Sequence, residues 1–493
     1  MTNFYTNAYY DYESILVSER QSDGTRKYKR EPFVPSLFIP SNTETEHKSI
    51  HGEYLSEMTF DSYSSYKEFN EKYSNIKNFD IYGEINAEYQ FINKQYGTNI
   101  SYDLSVIDIM YIDIETTSEK GWPSIENPEE QVIVISVSST IHGMAVFCLG
   151  KYTTTEDIKV FEFENEEELL YKFVEYFSSN YPDVVSGWNI RFFDFPYLIR
   201  RINKILGKKI SKKLSPWGIL KERHITRNKR EEIAYDIVGI AMLDYFEVYK
   251  TFTYVKQESY RLDHIAYVEL GQRKLAFDEF ESITEFYKKD FQKFVQYNIT
   301  DTILVQKLEE KLKLIELSIA LAYSAGVNFS DVFSQVRTWD VIIYNYLSER
   351  GIVIPPKVKT KKFEQYAGGY VKEPQVGMHN WVVSYDLNSL YPHLIMQFNI
   401  SPETLTKDGE RGTVTPEIIL TCNGVIPKQL QVHKENNLSV AANGTTYTKK
   451  VRGFLPELME KLYKDRKMFK GKMITAEKQL IEIESEIKRR GLS

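Results

Sequence analysis

At 493 residues the chain is too long for one compact core, and roughly 100–200 residues per domain predicts about three domains. Hydrophobic residues at 42% and charged residues at 27% exclude global disorder; two cysteines exclude a disulfide framework and a multi-cysteine zinc site. A net charge of −7 argues weakly against a nucleic-acid binder on average, and no apolar run is long enough to cross a bilayer. The N-terminal string MTNFYTNAYYDYESI has neither the basic nor the apolar region of a secretory signal, so a reducing cytoplasm is expected. Aromatic residues reach 14%, which fits either core packing or platforms on which unpaired bases stack.

In chain order, residues 1–105 read as an α+β region, with a strand-like run at 33–39. Residues 106–115 (VIDIMYIDIE) read as a strand, with 131–140 (QVIVISVSST) as its neighbour. A helical period covers 166–177, and a short run follows at 184–189. The charged stretch 221–232 (KERHITRNKREE) fits a surface hairpin, and 283–324 is helical. Residues 355–362 (PPKVKTKK) have linker composition. Beyond them 381–385 reads as a strand, 392–398 as the start of a helix, and 455–490 as one long helix with Pro456 in its first turn.

Asp113 and Glu115 are two apart on a strand, so both carboxylates leave the same face, a pairing suited to oxygen-seeking divalent cations. The motif alone is weak, because 69 acidic residues give about ten such pairs by chance, and a solvated strand end is an equal reading. Asp194 stands among aromatic residues after a strand and a Gly turn in SGWNIRFFDFPYL. Tyr297 and Asp301 are one helical turn apart, which also fits an ordinary core helix.

In this order the segments resemble the three exonuclease motifs of family B DNA polymerases: DxE, NxxxFD and YxxxD. The longer string GWNIRFFDFPYLIRRINKILG, with Leu243-Asp244-Tyr245 after it, is similar to the T-even bacteriophage type. The resemblance implies a ribonuclease-H-like 3′→5′ exonuclease in which Asp113, Glu115, Asp194 and Asp301 hold two Mg²⁺ ions, with Mn²⁺ as an alternative. It implies that Tyr297 orients the water or the scissile phosphate, and that Asn189 and Phe193 support the site. The charged stretch near 221–235 falls where the family carries a hairpin that helps to part strands.

A second constellation, Ser384-Tyr385-Asp386-Leu387-Asn388-Ser389-Leu390-Tyr391-Pro392, reads as strand, turn and helix start; a capped helix reads the same residues without function. DLNSLYP resembles polymerase motif A, DxxSLYP. The resemblance implies that Asp386 binds both polymerase metals and the Leu387 carbonyl one of them. Ser389 and Leu390 would touch the triphosphate of a dNTP, and Tyr391 would exclude a 2′-hydroxyl. Tyr366, Gly368 and Gly369 match the YxGG loop expected to steer template DNA, although a plain turn also fits them. Arg466 and Lys470, at i and i+4, match the fingers-helix positions that grip the triphosphate; a solvated face is the plainer reading.

Neither motif B (Lys, then Asn-Ser-x-Tyr-Gly) nor motif C (Asp-Thr-Asp) occurs. Phe469, Met473, Ala476, Leu480, Ile483 and Ile487 form a heptad-like seam on the last helix. The expected protein is therefore the first subunit of a split polymerase. A second chain would carry motifs B and C and the thumb, share two Mg²⁺ ions with Asp386, act on primer-template DNA, and serve as the route to any sliding clamp. No membrane partner is expected. A stand-alone 3′→5′ exonuclease with a vestigial palm and a non-catalytic nucleic-acid-binding scaffold are the other two readings. The expected fold is multidomain α/β and α+β. Its divisions are an N-terminal domain at 1–107, the exonuclease at 108–313, a return segment at 314–357, a partial palm at 358–452 and the first fingers helix at 453–493.

Overall fold

The structure is a computed structural model that describes residues 3–74, 76–77, 79–119, 121–227, 230–357, 371–406, 428–441 and 444–491. Its contacts divide the chain into two compact units, Met1–Pro40 with Ser56–Pro356, and Ser41–Leu55 with Lys357–Ser493.

The first unit begins with an antiparallel sheet of β1 (Phe4–Tyr10), β2 (Ser14–Arg20) and β3 (Arg26–Pro32) in that order. The central strand β2 is buried along its whole length, as a strand covered on both faces must be. Helix α1 (Ala87–Tyr96) packs on β1.

A six-stranded mixed sheet follows. It consists of β4 (Ile109–Thr116), β5 (Val132–Ser139), β6 (Gly143–Leu149), β7 (Ile158–Phe163), β8 (Val184–Ser186) and, after a hairpin of β9 (Leu220–Arg227) and β10 (Arg230–Ile237), β11 (Ala241–Met242). The spatial order is β7-β6-β5-β4-β8-β11. β5 runs antiparallel to both neighbours, whereas β7 pairs with β6, and β8 with β4 and β11, in parallel.

All eight residues of β5 are buried because helices cover both faces of this sheet. One face packs on α2 (Glu166–Ser179) and α3 (Asp194–Ile205) through Ile112, Ile114, Ile135, Phe173 and Phe195. The other packs through Val134, Val146, Phe294 and Ile299 on a long helix, whose place in the chain follows α4 (Tyr245–Phe252), α5 (Leu262–Leu270) and α6 (Ile283–Lys289); this is α7 (Phe291–Leu312).

Helices α8 (Leu314–Ala325) and α9 (Gln335–Ser348) return to the N-terminal sheet, where Tyr5 Oη donates to the Val327 carbonyl and Tyr323 Oη to the Tyr5 carbonyl, each at 2.7 Å. The two sheets are joined by the buried Asp183 carboxylate, which accepts from Arg20, from Arg26 and, at 2.9 Å, from the Asp108 amide.

The second unit contains α10 (Leu390–Phe398), the strand pair β12 (Leu438–Val440) and β13 (Thr446–Thr448), and α11 (Phe454–Arg490). Asn399, in the left-handed region at φ 55°, ties these together: its Nδ2 donates to the carbonyls of Thr448 and Val451, and its Oδ1 accepts from the Gly453 amide. A Cβ on Gly453 would lie 2.5 Å from the Ser401 Cβ, so only glycine fits at the start of α11.

The expected strand at 381–385 is not formed; Trp381 is 97% exposed and the segment has no regular structure. No described residues pair with it, and a lone strand has no ladder to satisfy its amides and carbonyls. The run at 184–189 is a strand only to Ser186, because the chain turns at Gly187, where a Cβ would lie 2.4 Å from the Ile112 carbonyl oxygen. The strand expected at 33–39 occupies Leu37–Pro40, beyond Pro35, which has no amide hydrogen to pair.

Candidate active site

Alternation along β4 puts Ile112 and Ile114 into the core under α3 and turns Asp113 and Glu115 to the face covered by α7. Ser136 stands opposite Asp113 in the β4–β5 ladder. It is small and fully buried, and its hydroxyl donates to the Asn298 carbonyl at 3.2 Å and lies 2.6 Å from Thr302 Oγ1, so α7 can approach the sheet closely. That approach brings Asp301 to the two strand carboxylates. Asp113, Glu115 and Asp301 each offer an oxygen within 4.8 Å of the others. Asn298 Nδ2 donates to Asp113 Oδ2 at 2.6 Å and fixes that carboxylate.

Asp194 opens α3 outside this trio, 4% exposed, with Oδ1 accepting the Ile114 amide at 3.1 Å. The preceding turn hangs on Asp244, whose carboxylate accepts the amides of Asn189 (3.0 Å), Arg191 (2.9 Å) and Phe246 (3.0 Å). Asn189 itself is left-handed, at φ 69°. Phe193, just before Asp194, stacks on Tyr197 with ring centroids 5.8 Å apart, and the 84% exposed Trp122 lies 6.0 Å from Phe193.

The electrostatics follow from like charges in a covered place. Burial pushes the Asp113 carboxyl well above the usual range, and Asp301 and Glu115 push it further. Burial, then Asp301, raises Glu115 to about 8. Asp301 is pushed up to about 6 by burial against the pull of Lys274, and burial followed by Asp113 raises Asp194 well above its ordinary value.

The countercharge is Lys274. Its Nζ lies 2.5 Å from Asp301 Oδ2, donates to Tyr297 Oη at 2.7 Å and sits over the Tyr297 ring. Burial alone would lower the Lys274 ammonium; Asp301, Tyr297 and Asp113 outweigh it and raise it. Sequence reasoning missed Lys274, Asn298 and Trp122. Lys274 belongs to no recognised spacing, and its one signal is a cation leading the apolar run Leu275-Ala276-Phe277.

The donor set fits a hard divalent cation: all oxygens, all carboxylate, and Asp301 Oδ1 is buried with no hydrogen-bond partner, as an oxygen reserved for an ion would be.

The residues of the second constellation lie in the other unit. Asp386 and Leu387 are exposed in a segment without regular structure. Ser389, left-handed at φ 52°, precedes α10, with Leu390 and Tyr391 as the first helical residues. Arg466 and Lys470 are exposed one turn apart on α11, whose buried residues are Pro456 and Leu458. Phe469, Met473, Leu480, Ile483 and Ile487 are all exposed on the same helix. Tyr366, Gly368 and Gly369 lie outside the described residues.

Two family models match the chain: "DNA polymerase family B, exonuclease domain" over residues 58–265 and "DNA polymerase family B" over residues 329–487. Among curated proteins, the chain is 29% identical over 507 residues to the DNA-directed DNA polymerase of Escherichia phage RB69. It is 27% identical over 503 residues to that of Enterobacteria phage T4. Each alignment covers 97% of this chain and 55% of the relative, so the chain spans about half the length of these relatives. The DNA polymerase catalytic subunit of Alcelaphine herpesvirus 1 is 27% identical over 353 residues, covering 63% of this chain and 33% of the relative.

Proposed function

The chain belongs to DNA polymerase family B, and from that premise we propose that its first unit is a Mg²⁺-dependent 3′→5′ exonuclease for unpaired DNA ends and its second unit one part of a polymerase site. The observation that carries the nuclease reading is the trio Asp113, Glu115 and Asp301, with oxygens within 4.8 Å and Asp194 beside it. On this reading the mixed sheet, with one strand antiparallel to its neighbours and helices on both faces, is ribonuclease-H-like, and residues 108–313 form the exonuclease.

Two Mg²⁺ ions, or Mn²⁺, bound at these four carboxylates would supply the charge that makes a hydroxide available and offsets the leaving 3′ oxygen. The protein's own groups hold the substrate around that charge. Lysine can only donate, so Lys274 uses the Tyr297 oxygen as acceptor, and the phenol proton is directed to the Asp301 carboxylate one turn on. Burial raises the Tyr297 phenol, so it stays protonated at neutral pH, and on this reading it would orient a water or the scissile phosphate beside Asp301. Trp122 and the half-buried Phe193, which precedes Asp194 and is backed by the buried Tyr197, offer rings on which an unpaired base would stack. A frayed end enters more easily because its unpairing has already occurred.

In the second unit, Asp386 and the Leu387 carbonyl would hold the polymerase metals. Ser389, Leu390 and Tyr391 would meet the dNTP at the start of α10, and Arg466 with Lys470 would grip its triphosphate. Support comes from the start of α10, where no side chain caps the first amides, and from the shared exposed face of Arg466 and Lys470. The 493 residues hold no Asp-Thr-Asp string, so template-directed synthesis needs a further carboxylate. A second chain bearing motifs B and C, docked on the exposed seam of α11, would bring it along with primer-template grip and any clamp contact.

The test uses the purified chain and 5′-labelled single-stranded DNA. The expected result is a Mg²⁺-dependent ladder of shortened products, reduced at least about 10³-fold in Asp113→Ala/Glu115→Ala. Primer extension is expected only after addition of a polypeptide carrying motifs B and C, and not with Asp386→Ala. Extension by the lone chain would sink the two-chain arrangement; a lone chain without nuclease activity would sink the exonuclease.

A further inference from the structure

Lys274 lies between Gly271, the left-handed end of α5, and Ser282, the cap of α6, in a segment without helix or strand. A lysine reaches its target through four rotatable bonds, so its ammonium stays on Asp301 and Tyr297 only if the backbone beneath it is held. Leu275 and Phe277 pack beside it and Lys307 bonds Gln272, while the Lys274 amide itself is taken by the side chain of Asp263. Asp263 Oδ1 accepts the Lys274 amide at 3.0 Å, and Asp263 Oδ2 accepts Arg273 Nη1 at 2.6 Å. The Arg273 guanidinium in turn lies over the Tyr267 ring, 4.2 Å from its centroid. Asp263 and Tyr267 both belong to α5, anchored in the core by Leu262, Ile265 and Ala266.

We propose that Asp263 is a positioning residue of the nuclease site, pinning the Lys274 amide and so setting the Lys274 ammonium on Asp301 and Tyr297. The proposal rests on the exonuclease reading. The plainer role for Asp263, an acidic residue in the first turn of a helix paired with a surface arginine, would contribute little and would be indifferent to what Lys274 does.

The two roles separate in a double-mutant cycle on single-strand hydrolysis by the whole chain, with kcat and KM read on 5′-labelled oligo(dT) in Mg²⁺. Asp263→Ala is expected to lower kcat about tenfold or more with KM unchanged, because the group lost acts through the reacting phosphate's surroundings. Asp263→Asn keeps an acceptor for the Lys274 amide and is expected to recover most of the rate. Arg273→Gln leaves that bond intact and is expected to stay within about twofold of the parent. In a Lys274→Met background, Asp263→Ala is expected to cost nothing further, a result that a general structural role would not give.

Four results would overturn the proposal while leaving the nuclease standing: Asp263→Ala with parental kcat, Asp263→Asn as impaired as Asp263→Ala, Arg273→Gln matching Asp263→Ala, or losses that multiply in the double variant. Absence of hydrolysis by the parent chain would instead remove the exonuclease reading and the proposal together.

Discussion

Asn298 shows how much of the site is decided by single side chains that touch no substrate. Its amide is fully buried, and Nδ2 donates to Asp113 Oδ2 at 2.6 Å. Asn298→Ala would leave the Asp113 carboxylate free to turn, and Mn²⁺ affinity measured by calorimetry is expected to fall about 10–100-fold. Cys148 makes a different residue-scale point. Burial pushes its thiol up to about 12, so at pH 8 the thiolate fraction is on the order of 10⁻⁴. A group raised this far reacts only as pH approaches its shifted value. Alkylation of Cys148 at pH 8, read by peptide mass spectrometry, is therefore expected to await global unfolding; labelling of the native chain within minutes would contradict its burial.

Residues bearing a spaced motif were legible before folding, and Asp113, Glu115 and Asp301 meet in space. Lys274 was not legible, since its one local signal, a cation before a short apolar run, is too weak to single it out among 62 Lys and Arg. Only the packing of α7 on β4 and β5 shows which cation the carboxylates face.

Elements were legible where periodicity had a local cause. The strand pair β4–β5, helix α2, the charged hairpin β9–β10 and the long α11 all lie close to their expected places. The strand expected at 381–385 failed because strand structure needs a partner, which no pattern within five residues can supply. Helix α11 is the converse case, closing its hydrogen bonds internally although only Pro456 and Leu458 are buried.

Gly471 weakens α11 without a packing reason, as a Cβ there would meet nothing within 4 Å. Gly471→Ala is expected to raise the stability of that helix by about 1 kcal/mol, read as slower amide exchange around residue 471. Leu480→Lys with Ile483→Lys touches only exposed positions and is expected to leave the melting temperature of the lone chain unchanged. The same pair should abolish primer extension by the mixed chains; retained extension would move the docking surface elsewhere.

On the scale of the whole molecule, the residues proposed for the nuclease, from Asp113 to Asp301, all lie in the first unit, and those proposed for motif A all lie in the second. A chain ending at Pro356 is accordingly expected to keep single-strand hydrolysis within a few-fold of the parent, measured on the same labelled DNA. Loss of activity in a folded truncation would show that the second unit contributes to the nuclease.

The sequence by itself determined the family, the order of the motifs and the carboxylates that carry them, because chemistry at fixed spacing is written locally. Tertiary structure alone decided that Asp194 stands beside the trio rather than within it, that Asn298 holds Asp113, and that Lys274 is the countercharge. Those facts depend on the distance between a sheet and a helix almost two hundred residues apart in the chain. That distance is set by the small buried Ser136 beneath α7, a packing detail with no periodic signature.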